Sequence, residues 1–373
     1  MSIISKILDA FKLESTKEME NIRKGNNGEV LYHDKFNEEY REIDNYREIT
    51  FNGRNFNIPE VQLCAAILLS GSKNSSKIRN NNEYSLYFEG RYGIVNISKL
   101  HQWLYKQGYL RPAVLSEALG LYKVTELKTI LESLGLKKIG NKSDLIERVI
   151  SAIDDEEKAR IVNQCEHLFV TEKGLAFLEE NEDYVMFHRK SYGVTFREFN
   201  KHRILQGKKR KFYDTIYNVL SQKAAEYQIK GYFSQLEMIY FWLAESLYDE
   251  GRYDLAIRYY IYRLYFSTNL AWHVALFDVE LVKFHGVKKE QDYIKSLHEI
   301  FNKGTLDRLI ELKDYYEEHI LDIVYDMQIL PYCIFDKMDM ADAIHDLYEG
   351  TFDEECNTNY ICINYGKYIK KFL

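Results

Sequence analysis

The sequence predicts a mainly α-helical protein with a few short strands in an α+β N-terminal part. Three observations carry this: apolar residues recur at three-and-four spacing through most of the chain, only 3 prolines interrupt 373 residues, and the strand-like runs are three or four residues long. A hydrophobic fraction of 46% and this length leave room for two or three domains, each with its own core. The longest apolar run, Val61 to Leu69, falls well short of a membrane span, so a soluble protein with no membrane partner is expected. Cys64, Cys165, Cys333, Cys356 and Cys362 are scattered without a Cys-x-x-Cys pair, and the ten histidines form no ligand spacing. A reducing, cytoplasmic compartment follows, with no metal and no cofactor expected. Richness in Lys, Asn, Ile and Tyr fits an AT-rich bacterial or phage genome.

The first zone, 1–112, begins with Ile3, Ile4, Ile7, Leu8 and Phe11 at helical spacing, read as a docking helix. Short strands are expected at 29–32, 49–51 and 55–58. Pro59 opens an apolar helix, PEVQLCAAILLS, and the polar tract 70–82 reads as an exposed loop. A helix over 97–108 turns Leu100, Trp103 and Leu104 inward, stops at Gly108 and leads into a strand at Tyr109-Leu110.

The second zone, 113–155, holds two short helices joined by a basic loop. Val124, Leu127, Ile130, Leu131 and Leu134 form the buried stripe of the first, and Gly135 stops it at C′. Asn141 or Ser143 caps the second, which buries Leu145, Ile146, Val149, Ile150 and Ile153. The remaining surface carries Lys128, Lys137, Lys138, Lys142 and Arg148. Gly140, Lys142 and Ser143 surround free N–H groups at the start of the second helix, a natural seat for phosphate. An ordinary helical hairpin with a solvated face is the plain alternative.

The pattern hydrophobic-x-Glu-Leu-Lys, Leu-Gly-Leu, Gly-x-Lys-x-x-Leu-Ile-x-Arg over 121–153 resembles the SAP family of DNA-binding modules. That resemblance implies a helix–loop–helix unit binding duplex DNA, often AT-rich, mainly through its backbone. It points to Gly140, Lys142, Ser143 and Arg148, with Lys128 as a weaker candidate. Asn141 departs from the family's usual choice and leaves the loop intact. Six basic residues against four acidic give the segment a net charge of only +2, so the module alone should bind weakly.

In the third zone, 156–211, the run His167–Val170 followed by Thr171-Glu172-Lys173-Gly174 resembles the far side of a winged-helix wing, with Gly108–Leu110 as the near side. Together they suggest a SAP-like module inserted at a hairpin tip, where insertions are tolerated. Met186 to Lys211 then sets nine basic residues, ending in Lys208, Lys209, Arg210 and Lys211, against one acid, Glu198. A local +8 in a chain of net charge -7 is an electrostatic footprint for nucleic acid, and Phe187, Tyr192, Phe196 and Phe199 are placed to stack bases. Alternatively, these rings pack inward and the charges meet the acidic C-terminal part.

The fourth zone, 212–373, has 16 basic residues against 27 acidic and reads as helical throughout. Ala244, Leu247, Gly251, Tyr253, Ala256, Ile257 and Tyr260 resemble one tetratricopeptide repeat, with 272–284 as a helix stacking on it. The Tyr-rich stripe there is read as core and groove lining. Phosphate loops, dinucleotide loops and nucleophile elbows are missing from the sequence. The expected function is therefore non-enzymatic: duplex DNA binding through the SAP-like module and basic segment, with a protein partner or self-association through 212–373. A scaffold with a purely structural hairpin and a metal-dependent nuclease using carboxylates such as Asp336 and Asp339 are the alternatives.

Overall fold

The computed structural model describes residues 48–207, 211–230, 233–269, 300–327 and 333–369. The elements expected at 3–11, 29–32 and 272–284 lie outside these residues. The described residues are mainly helical and divide into two compact units that meet between Arg189 and Lys190. That boundary falls inside the 156–211 segment, which the sequence reading had kept whole.

In the unit 48–189, α1 (Pro59–Gly71) is apolar on nearly every side and buries Val61, Leu63, Cys64, Leu68 and Leu69, so it belongs at the centre. Helices α3 (Ile97–Lys106), α8 (Glu172–Glu180) and α9 (Glu182–Arg189) pack against it; α2 (Tyr87–Gly90) is a single turn. Leu100 and Leu104 of α3 are fully buried, as the spacing requires. Residues 55–58 form a turn, not the expected strand. Two asparagines account for this: Asn52 Oδ1 accepts Arg54 N–H, and Asn55 Oδ1 accepts Asn52 N–H. Such side-chain acceptors give the backbone an alternative to a ladder.

His101 of α3 is 1% exposed and sits between Tyr84 and Ser76. The Tyr84 oxygen accepts Arg79 N–H at 3.1 Å, which leaves its own proton for His101 Nδ1 at 2.7 Å. Nε2–H then faces Ser76 Oγ at 3.2 Å, and Ser72 Oγ donates to Ser76 Oγ at 2.7 Å. A neutral imidazole satisfies every partner in this chain. Burial, with Arg79 adding to it, pushes the His101 pKa down to about 4.

After Gly108 the chain enters β1 (Leu110–Pro112), which pairs antiparallel with β2 (Leu168–Val170) in the register Leu110 with Val170 and Pro112 with Leu168. Ser76 adds an antiparallel bridge on Leu168. The pairing across residues 113–167 is the one the sequence suggested. Thr171 caps α8 and closes the far end of the ladder: its hydroxyl accepts Gly174 N–H and reaches the Gly108 and Tyr109 carbonyls at 2.7 and 3.1 Å. Gly174 is needed there for close approach, since a Cβ on it would lie 2.4 Å from the Tyr109 oxygen.

The unit 190–369 begins with α10 (Phe196–Gln206), which packs on α11 (Phe212–Lys230), which packs on α12 (Phe233–Glu250). A two-residue turn, Gly251-Arg252, reverses the chain into α13 (Tyr253–Asn269). The two helices pack together, and Ala244, Leu247, Ala256, Ile257 and Tyr260 on them are buried. α14 (Lys303–Glu311) and α15 (His319–Asp326) lie on α13, followed by α16 (Lys337–Glu349) and α17 (Glu354–Ile369). Tyr260 and Tyr265 are fully buried, in keeping with a structural role for the tyrosine stripe. Among the described residues, no helix is long and apolar enough to cross a membrane.

Candidate nucleic-acid interface

Between β1 and β2 stand α4 (Leu115–Gly120), α5 (Val124–Ser133), α6 (Lys142–Ala152) and α7 (Asp155–Gln164). Their core is Leu119, Leu127, Leu131, Leu145 and Val149, with Ile161 from α7. The stripe is narrower than its spacing suggested: Val124 and Leu134 stay 40% and 38% exposed, while Ile130, Ile146 and Ile150 are half-buried. Phe169 of β2 packs on the same core. Arg111 of β1 makes a bidentate pair with Glu117 of α4 at 2.6 and 2.8 Å. These hydrogen bonds hold the Glu117 carboxyl below its usual range.

Helix α5 ends as the sequence predicted. Gly135 is left-handed at φ +69, Leu136 N–H returns to the Leu131 carbonyl, and Gly135 N–H to that of Glu132. This is a Schellman closure with Leu131 and Leu136 in apolar contact with one core. At α6, Asn141 is the cap: its Oδ1 accepts Asp144 N–H at 3.0 Å, while Asp144 Oδ2 accepts Asn141 N–H at 3.1 Å. Ser143 donates to the same Asn141 oxygen at 2.6 Å. The N–H groups of Lys142 and Ser143 have no acceptor among the described residues and lie at the positive end of the α6 dipole.

Residues 118–154 match the SAP domain. The E3 SUMO-protein ligase SIZ1 of Arabidopsis thaliana is 38% identical over 48 residues, covering 13% of this chain and 5% of that protein. The chain therefore matches only a small fraction of that relative's length. No solved structure matches the chain significantly.

The SAP domain spreads its basic residues over α5 (Lys128), the loop (Lys137, Lys138), the start of α6 (Lys142) and its middle (Arg148). Lys142 is exposed, yet its ammonium donates to the Gly120 carbonyl at 2.6 Å, closing the end of α4. Arg148 is half-buried, and one guanidinium nitrogen donates to the Lys137 and Ile139 carbonyls at 2.5 and 3.2 Å. The sequence assigns these two side chains to phosphate; the structure shows Lys142 supporting the end of α4 and Arg148 supporting the loop. Both keep donors to spare, since an ammonium has three and a guanidinium five. Lys138 pairs with Glu132 at 2.7 Å, whereas Lys128 and Lys137 are exposed without an ion pair among the described residues. Gly140 takes φ +138, with Asp144 Oδ2 2.9 Å from where a Cβ would stand. Asp144 and Ile139, an apolar side chain 84% exposed at the loop tip, were not singled out from the sequence.

The basic segment 186–211 departs from its expected role in part. Phe187, Tyr192 and Phe199 are at most 2% exposed, so they are core residues and not base-stacking platforms. Lys190 pairs with Glu245 and Asp249 at 3.2 and 2.6 Å, and Tyr192, a rare non-glycine residue at φ +52, donates to the same Asp249. Arg203 is buried. Arg189, Arg197, Lys201 and Lys211 remain exposed, while Lys208, Lys209 and Arg210 lie outside the described residues.

The carboxylates considered for a nuclease have local duties. Asp336 caps α16 through Met338 and Asp339 N–H, Asp339 accepts Asp336 N–H, and Lys337 pairs with Asp322. Among the described residues, no three His, Cys, Asp or Glu side chains converge as a metal site.

Proposed function

We propose that this is a non-enzymatic, cytoplasmic DNA-binding protein that holds duplex DNA by its phosphate backbone. The SAP match at 118–154 carries this reading, supported by the unpaired N–H groups of Lys142 and Ser143 beside exposed Lys128, Lys137 and Lys142. The basic residues of the 186–211 segment, with exposed Arg189, Arg197, Lys201 and Lys211 and with Lys208 to Arg210 in the sequence, supply further candidate phosphate contacts.

The β1–β2 pairing, with Ser76 bridging Leu168, supports a winged-helix likeness in which the SAP domain occupies the wing tip. On that reading α3 is the recognition helix, and its exposed Lys99, Gln102 and Lys106 add contacts. The acidic unit from 212 onward repels phosphate; its tetratricopeptide-like pair α12–α13 suits protein contact or self-association. A bacterial or phage source remains the reading from composition.

The test is a mobility-shift titration of the full chain on duplex and single-stranded DNA at several salt concentrations, with and without divalent metal. Salt-sensitive duplex binding without degradation is expected. Failure to bind at low salt would leave a scaffold with a structural hairpin, and metal-dependent loss of DNA would leave a nuclease.

A further inference from the structure

Ile139 is the most exposed large apolar side chain of the SAP domain, and an isolated one would mean little by itself. Its mounting is what matters. The Arg148 guanidinium holds the carbonyls of Lys137 and Ile139 itself. Gly140, next in the chain, has a backbone conformation that disfavours side chains, and Asn141 is locked by its reciprocal cap with Asp144. The backbone on both sides of Ile139 is thus held, and its side chain stands 84% exposed. Ordering costs are met before any partner arrives. Lys137 and Lys138 precede Ile139 directly in the chain and are exposed with it; Lys138 pairs with Glu132, so Lys137 is the cation beside this apolar point without an ion pair among the described residues.

An apolar point next to a lysine in the chain, on a loop of net positive charge, suits a polyanion that also offers apolar planes, and stacked base pairs are such planes. An anionic lipid surface shares the charge, but one isoleucine and a segment charge of +2 give too little for anchoring. Resting on the DNA-binding reading above, we infer that Ile139 enters the minor groove and wedges between adjacent base pairs, partly unstacking them and kinking the duplex. Flexible pyrimidine–purine steps, such as TA, are its preferred point of entry.

The experiment titrates the full chain into a duplex carrying 2-aminopurine beside a TA step and a fluorophore at each end. The 2-aminopurine signal should rise and the ends should approach. Ile139→Ala should abolish both changes and weaken binding about tenfold, while Ile139→Leu, which keeps the apolar volume, should retain them. Matching melting temperatures establish that the variants fold. Tight duplex binding without unstacking or bending overturns the wedge and leaves the DNA-binding reading standing, as does an Ile139→Ala variant equal to the parent. Absence of duplex binding at low salt overturns both. Loss of self-association in Ile139→Ala, with DNA binding kept, makes the residue a protein contact and also overturns the wedge.

Discussion

The Lys142 ammonium donates to the Gly120 carbonyl across 22 positions of sequence, joining the start of α6 to the end of α4. The lysine that the sequence assigns to phosphate thus closes an orphan helix carbonyl. On the proposed function, removing it should disturb the fold and DNA binding together. Lys142→Ala is expected to cost about 1 kcal/mol of stability for the lost hydrogen bond, and to weaken duplex binding by more than that cost explains. Thermal melting and mobility shifts on the same preparation separate the two; unchanged melting would remove the Gly120 contact from the account.

Arg148 should respond to chemistry more than to charge. Lysine preserves the cation but lacks the planar fork that lets one group hold two carbonyls while presenting other donors. Arg148→Lys should therefore melt earlier by a margin on the order of 1 kcal/mol and bind DNA less well. Binding equal to the parent would show that charge alone suffices at this position.

Glycine to alanine within a helix ordinarily stabilises. At Gly174 the sign should reverse, because the new Cβ meets the Tyr109 carbonyl oxygen at 2.4 Å. A loss of about 2 kcal/mol is expected, the range of overpacked cores, read as an earlier denaturant midpoint. A gain in stability would mean that α8 can shift away from β1 at no cost.

His101 makes stability depend on pH. Its folded pKa is lowered to about 4, below the ordinary value of 6.5, so the unfolded chain takes up the proton first as pH falls. Stability from the neutral imidazole is full above about 6.5 and declines towards 4, by up to about 3 kcal/mol. Melting curves across that window should show the decline, and His101→Gln should flatten it. An unchanged slope in the variant would assign the acid sensitivity elsewhere.

Salt response tests the basic footprint. Each phosphate contact lowers log K by about 0.9 per unit of log salt on duplex DNA. Changing Lys208, Lys209, Arg210 and Lys211 to Gln in the full chain should flatten the slope while sequence preference barely changes. A full slope in the variant would confine the footprint to the SAP domain and its neighbours.

The hairpin over 124–152 was legible because its signals are local: Gly135 ends one helix and Asn141 opens the next within seven positions. The β1–β2 pairing was legible from the Thr-Glu-Lys-Gly turn, whose hydroxyl cap and missing side chain both act on Gly108 and Tyr109. The duties of Lys142 and Arg148 were hidden because a cation's acceptor is a backbone oxygen, and every residue type has one. Phe187, Tyr192 and Phe199 misled for a related reason. Spacing shows that rings alternate with charges, but the neighbours that bury them come from distant helices.

Because β1 and β2 run antiparallel and the SAP domain leaves both at the same end, a pull on it divides between two chains. Each strand is drawn along its own axis in the same direction, so the ladder between them carries little shear. Tension meets the Ser76 bridge on Leu168 and then the opposite end, where the Thr171 hydroxyl and the close seat of Gly174 fasten α8 to Gly108 and Tyr109. That small knot at one end and the Ser76 bridge on Leu168 at the other are therefore the two ties through which a load on the SAP domain would pass into the rest of its unit.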